Sequence, residues 1–184
     1  MKIAKIEPNI LTYRLSMERE DEDYYKCMWA EFILDLDAYR LTINGDAGNY
    51  SYCWGASQHE TFINLMCRVN EGYLLNKMSD RSRFLITESK QETIKTIEHN
   101  GWDCFGIKSE EEWENIRNEI LDIDDLSSEE MFFREVDSIV PEIDFECIEI
   151  EKDYPPGAKT SIEFFIKYIQ PILKELNAVK EGAE

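Results

Sequence analysis

Residues 41–54 read LTINGDAGNYSYCW, and their alternation decides the fold class. Leu41 and Ile43 are interleaved with Thr42 and Asn44, while Tyr50, Tyr52 and Trp54 are interleaved with Ser51 and Cys53, and Gly45 and Gly48 punctuate the middle. A two-residue period sends successive side chains to opposite faces, so the stretch predicts a β-hairpin with one aromatic face. Burial against helices is the ordinary use of such a face, because aromatic rings supply large core area. A base-stacking platform is the alternative, and two copies could pair through Tyr50, Tyr52 and Trp54 if helices leave them uncovered.

Toward the N-terminus the same period continues. KIAKI (residues 2–6) and LTYRLSM (11–17) precede an acidic break, EREDED (18–23), and YKCMWAEFILDLD (25–37) then leads into the hairpin. Together these segments predict an antiparallel β-meander over the first third of the chain. Toward the C-terminus the period becomes helical. Ser57 and Glu60 have the spacing of a capping box, with Phe62, Leu65, Met66 and Val69 on one stripe behind them. YLLNKM (73–78) adds a short turn or helix, SDRSRF (79–84) a polar connection, and Glu88 to His99 a further helix stopped by Asn100 and Gly101. Ser109 with Glu112, and Ser127 with Glu130, predict helices over 110–123 and 128–138. FECIEIE (145–151) alternates like an edge strand, DYPPG (153–157) is a turn, and 158–179 is helical but should be kinked or split by Pro171.

The expected class is therefore α+β: an antiparallel meander packed against helices, followed by an acidic helical second half. At 184 residues the chain fits a single domain, 1–184, with the composition change near Lys108 marking a candidate subdivision into 1–107 and 108–184. Five cysteines without a CxxC pair indicate neither a zinc site nor a disulfide framework and fit a reducing cytosol. The first residues lack a signal-like apolar run, and no window approaches a membrane span, so a cytoplasmic location is expected.

Charge carries the strongest functional signal. The chain holds 39 acidic against 20 basic side chains, net −19, which opposes direct binding of nucleic acid and favours a basic partner. Residues 110–153 contain 18 acidic and 3 basic residues, so they hold 15 of the 19 excess negative charges. On a helix from Glu110, Trp113, Ile116, Ile120 and Ile123 share one face, and Glu111, Glu114, Glu119, Asp122 and Asp125 spread over the other. Acidic helix faces mostly serve solubility, yet crowding so many carboxylates into one stretch opposes compaction and calls for a compensating use. A basic nucleic-acid groove could accept such a line of charge in place of DNA.

Catalytic patterns are weaker. His59 and His99 flank helix ends with no ligand at metal spacing, and NGDAGNY lacks the lysine and strand–helix setting of a phosphate loop. Cys67 falls within an apolar helical period without a histidine partner. Asp35, Asp37 and Asp46, with Lys90 or Lys152, could build a metal-dependent nuclease site if folding gathers them. No cofactor motif is present, and a non-enzymatic role is expected.

NGDAGNYSYCWG (44–55), followed by HETFINLMCRVNEGYLLNKMSDRSRF (59–84), resembles a segment of small proteins encoded by phages and integrated mobile elements. Gly45 and Asp46, Tyr50 to Gly55, Glu60 and Phe62, and Tyr73, Leu74, Leu75, Lys77, Ser79 and Asp80 carry the likeness. That group includes anti-CRISPR inhibitors of type II Cas9. The resemblance implies a protein that binds Cas9, or Cas9 with its guide RNA, in the bacterial cytoplasm and hinders target binding or cleavage. It does not reach the acidic stretch, but the nucleic-acid channel of Cas9 is basic, so the two readings meet on Glu111, Glu114, Glu119, Asp122 and Asp125 as partner contacts. An antagonist of another basic target, such as a restriction enzyme or repressor, is the alternative.

Overall fold

Alternation in the first third does what period-two sequences do, since one side of each strand finds apolar company and the other meets water. The computed structural model describes residues 7–57, 59–124, 128–140 and 142–181. Strands β1 (Ile10–Ser16), β2 (Trp29–Asp35), β3 (Arg40–Gly45) and β4 (Gly48–Cys53) form a sheet in the order β1-β2-β3-β4. Every pairing is antiparallel, with Tyr13 opposite Phe32, Phe32 opposite Ile43, and Ile43 opposite Tyr50. The fold is therefore the expected α+β meander followed by helices. KIAKI lies outside the described residues.

The chain gathers into two compact units. One joins the chain up to Asp80 with the chain from Tyr154 onward, and the other runs from Arg81 to Asp153. The composition change near Lys108 falls inside the second.

In the first unit, α1 (Phe62–Arg68), α2 (Glu71–Met78), α6 (Pro156–Phe164) and α7 (Gln170–Glu181) accompany the sheet. Phe32, Leu34, Leu41, Ile43, Phe62, Met66, Leu74, Ile162, Phe164, Phe165 and Leu173 are fully buried in one cluster. Tyr52 and Trp54 join it, their rings 4.8 Å apart, with Trp54 5.6 Å from Phe62 and its indole N–H donating to the Tyr73 hydroxyl at 2.9 Å. Helices thus pack against the aromatic face, burying Trp54 and leaving Tyr50 and Tyr52 half-buried. Gly157 shows how closely α6 meets the hairpin turn: a Cβ at that position would lie 1.9 Å from the Ala47 carbonyl oxygen.

Two boundaries differ from expectation. Helix α1 is capped by Thr61, whose side chain accepts from Asn64 N–H, rather than by Ser57. Ser57 Oγ accepts from His59 N–H instead, and Glu60 is held by Arg68 through bonds of 2.6 and 2.7 Å. The C-terminal helix is not cut at Pro171. A π-helical turn, Phe165–Ile169, lies between α6 and α7, with Gln170 N–H reaching back to the Phe165 carbonyl. Pro171 lacks an N–H to give the preceding turn, and the widened turn absorbs that loss. Gln170 is buried, and its amide donates to the Met66 and Val69 carbonyls at 3.0 and 2.8 Å, closing the open end of α1.

The second unit is built from β5 (Arg83–Phe84), α3 (Ile86–Asn100), α4 (Glu110–Asp122), α5 (Glu129–Ile139) and β6 (Lys152–Asp153), with β5 and β6 pairing antiparallel. Its core is Ile97, Phe105, Trp113, Ile116, Ile120, Phe132, Val136 and Val140. The strand expected over 145–151 is absent. Asp144 captures the N–H groups of Glu146 and Cys147 and winds Phe145–Cys147 into a 3-10 turn, leaving only Lys152–Asp153 as strand. No helix among the described residues is long and apolar enough to cross a membrane.

Candidate functional site

Helix α4 forms for local reasons. Ser109 caps it by accepting from Glu112 N–H, Glu112 returns to Lys108 N–H at 2.7 Å, and three glutamates in the first turn face the positive end of the helix dipole. Trp113, Ile116 and Ile120 are buried and Ile123 nearly so, with Trp113 stacked on Trp102 at a centroid distance of 6.1 Å. That stripe fixes the helix rotation. Glu110, Glu111, Glu114, Glu119 and Asp122 consequently stand exposed on the opposite side. Asp125 lies outside the described residues.

At the far end of α4, where no basic residue of its own last turn offsets the carbonyls, Lys90 of α3 supplies the cation. Its ammonium donates to the carbonyls of Leu121, at 2.9 Å, and of Ile123. Helix α5 is capped by Ser128, which accepts from Met131 N–H, one residue later than the spacing of Ser127 and Glu130 suggests; Ser127 lies outside the described residues. A shallow groove of about 380 Å³, lined by Glu119, Asp122, Ile123, Asp124, Glu135 and Ile139, runs between the two helices.

Few of these carboxylates are neutralised within the protein. Glu114 approaches Arg117 at 3.9 Å, Glu130 meets Arg134 at 2.5 Å, and Glu129 meets Lys152 at 2.9 Å. Glu111, Glu119 and Asp122 have no ion pair among the described residues. Five exposed carboxylates along the 13 residues of α4 amount to one charge per about 4 Å of axis. That spacing matches one DNA strand, at ~3.4 Å per phosphate, and falls short of the duplex at ~1.7 Å. The arrangement can bind through charge.

The nuclease constellation is not assembled. Asp35 and Asp37 sit at the β2–β3 turn and Asp46 at the β3–β4 turn, at opposite ends of the six-residue β3, about 17 Å of strand. Each already has a task. Asp35 pairs with Arg40 at 3.0 Å, Asp37 accepts from Asn9 N–H, and Asp46 accepts from the Cys27 thiol and Met28 N–H. Lys90 caps α4 and Lys152 pairs with Glu129, and no group of three His, Cys, Asp or Glu residues suited to a metal exists among the described residues.

One polar centre escaped sequence reasoning. Asp23, inside the acidic run EREDED, is 2 % exposed and engages Lys26 at 2.9 Å, Tyr168 Oη at 2.7 Å and Lys167 at 2.5 Å. The Lys167 hydrogen bond, joined by those from Tyr168 and Lys26, holds its carboxyl far below the usual carboxylate range, and Asp23 in return raises the Lys167 ammonium. Nothing in a charge run marks which carboxylate turns inward. Only the apolar period of residues 162–173, interrupted by Lys167 and Tyr168, offered a signal.

No curated protein and no solved structure matches the chain. A family model does, the Phage_phiTE_072 model described as a phage family, and its match runs over residues 1–175. Because that match spans both units, this acidic α+β protein belongs to that phage family.

Proposed function

We propose that this phage protein is a non-enzymatic inhibitor that offers its helical unit to a basic nucleic-acid-binding protein of the bacterial cytoplasm. Carrying this reading is the exposed, sparsely paired carboxylate face of α4, fixed in rotation by Trp113, Ile116 and Ile120. Residues 81–153 hold 22 acidic and 8 basic side chains, net −14, so attraction to a positive groove is long-ranged and salt-sensitive. Type II Cas9, free or with guide RNA, is the partner to test first, since residues 44–84 resemble a segment found among its inhibitors and its channel is basic. Membership of a phage family supports a setting in which disarming a host nuclease is useful. Strand-like charge spacing favours competition for a displaced or single strand over mimicry of a full duplex.

Plasmid cleavage by Cas9 at rising protein concentration, at low and moderate salt, tests the reading. Protection that weakens with salt, and that disappears in Glu111→Lys/Glu114→Lys/Glu119→Lys while circular dichroism is unchanged, is the expected result. Full protection by the triple variant removes the α4 face as the contact. An absence of any protection moves the reading to another basic target, such as a restriction enzyme or repressor, which predicts the same salt sensitivity without Cas9.

A further inference from the structure

The loop joining β1 to β2 is a second acidic run, and its anchoring inside the fold rests chiefly on Asp23. Its neighbours point elsewhere: Tyr25 is 91 % exposed, Met28 49 % and Trp29 45 %. Tyr, Trp and Met at a surface are the residues in which the cores of protein interfaces are enriched. Nor is the loop loosely hung. Turns from Asp21 N–H to the Glu18 carbonyl, Tyr24 N–H to Asp21 and Lys26 N–H to Asp23 follow one another, and the ion pairs of Asp23 fasten them. A contact surface held ready in this way loses little conformational entropy on binding.

Between the loop and the hairpin turn lies a groove of about 170 Å³, lined by Tyr24, Tyr25, Lys26, Cys27, Met28 and Asp46. At ~30 Å³ per water this is room for about five or six waters, or for the head group of one long side chain. Asp46 accepts one bond on each oxygen, from Cys27 Sγ at 2.8 Å and from Met28 N–H at 2.8 Å. A carboxylate has about four lone-pair sites, so acceptor capacity remains. Burial pushes the Asp46 carboxyl up, but the Cys27 thiol and backbone N–H groups outweigh it and keep the group below the ordinary range. Burial, then the Asp46 carboxylate, pushes the Cys27 thiol up to about 11, so it stays a donor rather than a nucleophile. In the loop leading to the groove Glu18, Glu20, Asp21 and Glu22 are exposed beside a single exposed arginine, Arg19, while Lys26 is already engaged by Asp23 and by Glu163 at 3.3 Å.

We infer that this groove receives an arginine side chain from a basic segment of a partner protein, the guanidinium meeting Asp46 and lying against Tyr25, with Met28 and Trp29 covering flanking apolar residues. A planar guanidinium stacks on aromatic rings and donates through a fork, which an ammonium does not, so the site selects arginine over lysine. The surface belongs to the sheet unit and stands whether or not the helical unit binds Cas9.

Fluorescence anisotropy with a labelled peptide of alternating arginine and leucine, and a companion with lysine at every arginine position, tests this at moderate salt with the full chain. The native protein should bind the arginine peptide more tightly. Tyr25→Ala/Trp29→Ser changes no charge and removes exposed rings, so the fold is retained, as circular dichroism will verify. It should weaken binding by about tenfold or more and erase the arginine preference. Glu111→Lys/Glu114→Lys/Glu119→Lys should keep that preference. Equal affinity of the native protein for both peptides, or binding unchanged in the double variant, overturns the proposal.

Discussion

The sheet unit and the helical unit use charge in opposite ways. Residues 81–153 carry a net −14, whereas the remaining 111 residues carry 17 acidic and 12 basic side chains, net −5. In the sheet unit carboxylates fasten distant parts of the chain: Asp23 ties the first loop to the π-helical turn, Glu60 ties the approach of α1 to its last turn, and Asp46 ties the hairpin to β2. In the helical unit Glu92, Glu114 and Glu130 pair locally, three or four residues away, and much of the acid surface stays exposed. Acidic composition alone therefore conflates two things, charges that hold a fold together and charges that a fold displays.

Cutting into the two cores sharpens this contrast most. Phe32→Ala removes a fully buried ring from the sheet unit and Phe132→Ala one from the helical unit, each expected to cost about 3–5 kcal/mol in urea unfolding. Hydrogen exchange should report the first at β2 and β3 and the second at α4 and α5. Asp23→Asn comes next, and it carries a pH signature. The Asp23 pKa is depressed in the folded chain, so its stabilisation is complete above the unfolded carboxylate pKa, about 4, and is lost as pH falls toward the folded value. The stability gap between native and variant proteins should be wide near neutrality and should begin to narrow below about pH 4, continuing to shrink as pH falls toward the much lower folded value. A gap that does not shrink at all as pH is lowered through this range breaks the claim that this carboxylate fastens the unit by its charge.

Lys90→Met uncaps the C-terminal end of α4 and should cost about 1 kcal/mol, read by chemical denaturation and by faster exchange in the last turn. Added salt should have the smallest effect. Screening relieves repulsion among displayed carboxylates, so exchange at α4 and α5 should slow with salt while β2 and β3 barely respond. An equal response in both units erases the distinction.

Much of the fold is legible in single stretches. Alternation through Leu41, Ile43, Tyr50 and Tyr52 gives the hairpin and its buried side, and the stripe of Trp113, Ile116 and Ile120 gives the rotation of α4. Spacing rules misled where a side chain took a more distant partner. Ser57 and Glu60 look like a cap, but Arg68 claims Glu60, and the helix waits for Thr61. The alternation of 145–151 looks like a strand, but Asp144 winds it into a turn. Tertiary competition of this kind leaves no mark in a short window. Neither does the inward turn of Asp23, whose partners Lys167 and Tyr168 lie more than 140 positions away. The acidic face of α4 was legible as a face, because the same stripe that fixes its rotation sorts its carboxylates to the other side.

The pairing of Arg83 with Asp153 and of Phe84 with Lys152 returns the chain, after the whole helical unit, to where it left. During synthesis this separates the two units in time. Residues 81–153 are contiguous, so every residue of their core is present as soon as they emerge. The sheet, although made first, must wait for Ala158, Ile162, Phe164, Phe165 and Leu173 to complete the core over Phe32, Leu41 and Ile43. At roughly 5–20 residues per second, the hundred or so residues between β4 and α6 take on the order of ten seconds to make. For that interval the oldest part of the protein is the least finished, and its apolar sheet face is the surface a chaperone would find.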